Sequence, residues 1–80
     1  MRFTDVMQFI SLNFPGISMQ LEELLVKHLK FWVNGIEYAV TTEKCHGQKV
    51  WLVTSKNLPI LCEDDEALRY LLVDVIEQAG

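Results

Sequence analysis

Eighty residues, half of them hydrophobic and with a net charge of −4, suffice for one small domain (1–80) with a single core. No uninterrupted apolar run exceeds Val50-Trp51-Leu52-Val53, far short of the ~20 residues of a spanning helix, and the polar start Met1-Arg2-Phe3-Thr4-Asp5 is unlike a secretory leader. Two cysteines, Cys45 and Cys62, exclude a disulfide scaffold, so a soluble cytoplasmic protein with reduced thiols and no membrane contact is expected.

The first element reads as a helix. Thr4 is a suitable N-cap with Asp5 just inside it, and Phe3, Val6, Met7, Ile10 and Phe14 share one stripe at helical spacing. Pro15-Gly16 stops it, because proline cannot continue a helix and turns the preceding Phe14 away from helical angles. A second, shorter helix is expected from Ser18 to about Lys27. Leu21, Leu24, Leu25 and His28 form its inner stripe, and Glu23 stands four residues before Lys27 in the favourable order. A rival reading extends this helix through Trp32, since 21, 25, 28 and 32 also fit a period of 3.6.

The segment from Leu29 to Thr42 favours a hairpin over that extension, with residues 28–33 open to either reading. Asn34-Gly35 between two alternating apolar runs is a strong hairpin mark, because a type I′ turn needs φ > 0 at both central residues. Reversal there sets Val33 against Ile36, Phe31 against Tyr38 and Leu29 against Val40 on one face. His28, Lys30, Trp32, Glu37, Ala39 and Thr41 take the other.

Glu43 to Gln48 read as a polar loop, Lys49 to Ser55 as a third strand, Asn57-Leu58-Pro59 as a turn and Ile60-Leu61-Cys62 as a short addition at the edge. The last helix is the best marked. Asp64 caps it, Glu63, Asp65 and Glu66 complement its dipole, Asp65 precedes Arg69 by four, and Gly80 ends it. Its stripe is Leu68, Leu71, Leu72, Val75, Ile76 and Ala79. The expected fold is a small two-layer α+β domain of order α-α-β-β-β-α, with the helices on one face of an antiparallel three-stranded meander.

Residues that would carry catalysis are missing. None of Ser11, Ser18 and Ser55 lies in a G-x-S-x-G turn, and no glycine-rich loop precedes a helix, so the protein is not expected to be an enzyme and no cofactor is implied. The run Glu63-Asp64-Asp65-Glu66 is accounted for by capping and the helix dipole. His28, Cys45, His46 and Cys62 are zinc-type ligands, but they lack C-x-x-C or H-x3-H spacing, and no metal site is expected.

Charge is segregated along the chain. Residues 27 to 56 hold five lysines against Glu37 and Glu43, a balance of +3; the remainder holds Arg2 and Arg69 against nine carboxylates, −7. Two surfaces follow. On the last helix, Tyr70 and Val73 interrupt an outer face that also carries Glu66 and Glu77, with Arg69 and Asp74 flanking it and Glu63, Asp64 and Asp65 at its start. That composition suits contact with a protein bearing a basic or nucleic-acid-binding surface. The expected role is therefore a small accessory or regulatory protein: an inhibitor, adaptor or antitoxin-like chain of the kind common among phage and mobile elements. The alternative is a nucleic-acid-binding module in which Lys30, Trp32, Lys49 and Trp51 form a basic, aromatic sheet face. A homodimer through Tyr70 and Val73, or through an open strand edge, is a third expectation.

Overall fold

Asn34 and Gly35 both adopt positive φ, 52° and 79°, and the chain reverses on them as a two-residue turn. The strands they join, β2 (His28–Val33) and β3 (Ile36–Cys45), pair in the expected register, with Leu29 opposite Val40, Phe31 opposite Tyr38 and Val33 opposite Ile36. The computed structural model describes residues 1–23, 25–56 and 59–79, with side chains through Gln78. Asn57, Leu58 and Gly80, on which part of a turn and the last helix end were expected, lie outside the described residues, as does Leu24.

The remaining elements are α1 (Phe3–Asn13), β1 (Ser18–Glu22), β4 (Gln48–Thr54), β5 (Ile60–Cys62) and α2 (Asp65–Ala79). Among the described residues the sheet is an antiparallel five-stranded meander in sequence order, β1-β2-β3-β4-β5, and with two helices the fold is α+β. Both the three-stranded sheet and the order α-α-β-β-β-α are corrected by this arrangement.

The helix expected from Ser18 is strand β1. Met19 and Leu21 alternate with Ser18, Gln20 and Glu22, and pairing to β2 places Met19 beside Phe31 and Leu21 beside Leu29. Period two therefore prevails over the helical matches, because β2 offers an apolar row for that alternation to cover. Glu23 and Lys27 still form their ion pair, at 3.4 Å, although no helix holds them. His28, assigned to the inner stripe of that helix, lies instead on the open face in register with Glu22.

Two boundaries also move. Arg2, not Thr4, caps α1: its backbone N–H donates to the Asp5 carboxylate at 2.7 Å, and the earlier start brings Phe3 into the core. Glu43–Gln48 is not a loop. β3 runs to Cys45, and a second two-residue turn at His46-Gly47, with φ of 52° and 80°, returns the chain into β4.

The register lays out the helix-covered face as cross-strand rows. Leu21, Leu29, Val40, Val53 and Ile60 form one, and Thr42, Trp51 and Cys62 another. Over them pack Phe3, Val6 and Ile10 of α1 and Leu68, Leu72 and Ile76 of α2, all buried. Phe31 and Tyr38 stack at 5.1 Å between ring centroids, and Phe3 meets Trp51 edge-on at 5.3 Å. Each fully buried Leu contributes ~1.5–3 kcal/mol, so these helix stripes are a substantial part of a total expected near ~4–12 kcal/mol. Among the described residues no helix is long and apolar enough to cross a membrane.

Candidate functional site

Asp64 opens α2 as its cap: one carboxylate oxygen accepts from the Ala67 N–H at 2.7 Å, and its carbonyl accepts from the Leu68 N–H at 3.2 Å. With Leu68 and Leu72 directed into the core, the opposite side of the helix carries Glu66, Tyr70, Val73 and Glu77. Tyr70 is 70% exposed. Phe9 of α1 approaches this side, and together Phe9, Glu66, Arg69, Tyr70 and Val73 line a shallow groove of about 310 Å³. It continues along α2 past Leu71, Asp74 and Glu77. The centre of the groove is apolar and aromatic, whereas its rim is acidic apart from Arg69.

Of the residues singled out on α2, Glu66, Tyr70, Val73 and Glu77 come together here, with Glu63 and Asp64 exposed at the helix start. Asp65 has a different position and job. One of its oxygens accepts from Trp51 Nε1 at 2.8 Å and the other from the Met1 α-amine at 2.9 Å, tying α2 to β4 and to the start of the chain. The two hydrogen bonds, that from the α-amine first, hold its carboxyl below the ordinary range against a smaller desolvation effect. Asp65 is thus tied into the fold at the covered side, and its expected pairing with Arg69 does not form; Arg69 Nη1 instead lies 3.6 Å from Met1 Sδ. Phe9 was not singled out from the sequence, although it stands three residues after Val6, on the margin of the α1 stripe.

The four residues of the alternative surface are divided between the two sides of the sheet. Lys30 and Trp32 lie on the open face, while Trp51 is buried on the covered face, where Lys49 Nζ sits 4.4 Å from its ring centroid and donates to the Met1 carbonyl at 2.8 Å. The reason is register: pairing Cys45 with Gln48 sends Val50 and Leu52 of β4, rather than Trp51, to the side shared with Lys30 and Trp32. Lys30 is itself flanked by Glu22 at 3.4 Å and Glu37 at 3.9 Å, and His28 Nε2 lies 3.1 Å from Glu22. Lys27 and Lys30 of the central segment are therefore matched by carboxylates within the fold.

Cys45 is exposed and Cys62 buried, with the Cys62 thiol pushed up by burial and then by the nearby Asp64 charge. Among the described residues, no three or more of His, Cys, Asp and Glu are grouped so as to hold a metal ion, and no buried side-chain N or O is left without a hydrogen-bond partner. Compared with family models, curated proteins and solved structures, the chain finds no match.

Proposed function

We propose that this protein is a non-catalytic binding module that contacts a basic protein surface through the outer side of α2. The observation that carries the reading is the groove of Phe9, Tyr70 and Val73 rimmed by Glu66 and Glu77. Tyrosine supplies a large contact area with few rotatable bonds, and a partly buried Val73 beside it gives an apolar seat. The acidic rim, with Glu63 and Asp64 at the helix start, attracts a positively charged partner during encounter and repels acidic ones. An inhibitor or adaptor needs no more than this, and a basic nucleic-acid-binding surface is the kind of partner the charge suits.

The separation of Lys49 and Trp51 from Lys30 and Trp32 supports protein contact over nucleic-acid binding. Affinity capture from lysate, with Tyr70→Ala and Val73→Asp as paired controls, tests the proposal. A partner lost with both substitutions supports it; partners that all survive both place the contact elsewhere. A charged oligonucleotide titrated at low salt is the complementary arm, since phosphate contacts produce steeply salt-dependent binding.

A further inference from the structure

The two edges of the sheet are closed differently. β5 has only three residues and follows Pro59, which makes it a poor template for further pairing. β1 runs for five residues in unbroken register with β2, and contains neither proline nor lysine. Strand edges of that kind are the ones natural proteins ordinarily guard.

Which backbone groups of β1 face outward follows from the hairpin. A two-residue turn closes on a hydrogen-bonded pair, here Val33 with Ile36. Alternation then directs the backbones of Val33, Phe31 and Leu29 to β3 and those of Trp32, Lys30 and His28 to β1. Ser18, Gln20 and Glu22 are consequently bonded to β2, whereas the N–H and C=O groups of Met19 and Leu21 point out of the open edge.

We infer that β1 is a self-pairing edge, to which a second copy of the chain adds antiparallel about a two-fold axis at Gln20. Met19 of each copy then forms a hydrogen-bonded pair with Leu21 of the other, and the two sheets become continuous. The strand is complementary to itself in this register. Met19 and Leu21, both half-buried and apolar, meet on the covered face, while Ser18 meets Glu22 and Gln20 meets Gln20 on the open face. No like charges are opposed, in contrast to α2, whose acidic rim would face itself in a symmetric contact. Immediately beyond β1, Leu25 is 99% and Val26 62% exposed. Antiparallel addition carries that end toward Phe14–Ile17 of the other copy, where Phe14 and Ile17 are half-buried apolar residues. The exposed pair thereby gains an apolar neighbour across the axis.

Sedimentation equilibrium over a range of protein concentrations tests this, with Gln20→Glu and Gln20→Lys as variants. Inside one chain a glutamate at 20 gives up the 3.3 Å bond from Gln20 Nε2 to Glu22 but faces Lys30; across the axis it faces its own copy. The wild type is expected to dimerise, and Gln20→Glu to weaken the dimer by about fivefold or more while its far-ultraviolet circular dichroism spectrum stays that of the folded chain. An equimolar mixture of Gln20→Glu and Gln20→Lys recovers association as a heterodimer. A wild type that sediments as one chain at every concentration overturns the inference. So does a dimer indifferent to Gln20→Glu, or one abolished by Tyr70→Ala.

Discussion

Trp51 Nε1 donates to Asp65 at 2.8 Å, joining the middle of β4 to the first residue of α2. The second oxygen of the same carboxylate takes the Met1 α-amine, so one side chain fastens three parts of the chain. Lys49 completes the cluster from above the indole ring. A buried tryptophan normally requires a partner for its N–H, and this one finds it at the helix start that also seats α2 on the sheet.

Asp65→Asn should therefore lower stability by about 1–2 kcal/mol, the range of a partly exposed, charge-assisted hydrogen-bond pair. The pH dependence follows from the same contacts. The folded carboxyl is held below its ordinary value of 3.8, so its contribution is fully present above that value and is lost as the pH falls through the depressed one. Urea midpoints measured from neutral pH down to about pH 3 should decline, and the decline should be shallower in Asp65→Asn. Parallel curves for the two proteins would assign the acid sensitivity to other carboxylates.

Leu72→Ala removes a fully buried side chain from the centre of the α2 stripe. The expected loss is about 2–5 kcal/mol, comparable with much of the total for so small a domain. Chemical denaturation reads this directly, and a loss under about 1 kcal/mol would mean that α2 is not seated as described.

The two thiols should be distinguishable by reactivity. Cys45 is exposed near the His46-Gly47 turn, whereas Cys62 is 3% exposed and its thiol is pushed up, which lowers the thiolate fraction at neutral pH. An aromatic disulfide reagent should modify Cys45 rapidly under native conditions and Cys62 only with unfolding. Equal rates would contradict the burial of Cys62.

Tyr70→Ala should leave the denaturation midpoint within about 0.5 kcal/mol of wild type, because most of the ring is in water. Against a captured partner it should cost about 2 kcal/mol or more, as an aromatic anchor at the centre of a contact does. Val73→Asp adds charge to an already acidic groove and should slow association with a basic partner least, while shortening the lifetime of the complex most. Isothermal titration and surface-based kinetics separate these effects.

Much of the fold is legible from local chemistry. Asn34-Gly35 admits the positive φ angles of its turn and so determines the pairing of β2 with β3, and the acidic start and apolar stripe of Asp65–Ala79 specify α2 without reference to the rest of the chain. The exposed tyrosine and half-buried valine on the outer side of α2 are legible for the same reason, since the stripe that identifies the core also identifies its opposite side.

Three features depend on how separate segments pair and pack. Ser18–Glu22 satisfies both a helical and a strand pattern over a few residues, and it becomes β1 because the edge of β2 supplies hydrogen bonds and an apolar row together. The face taken by Trp51 follows from the Cys45–Gln48 register, since a shift of one residue would exchange it with its neighbours. Asp65 reads locally as one more acid at a helix start; only the approach of Met1 and Trp51 makes it the fastening of the fold. Propensity and turn chemistry act over a few bonds, whereas burial and cross-strand pairing are settled when separate segments meet.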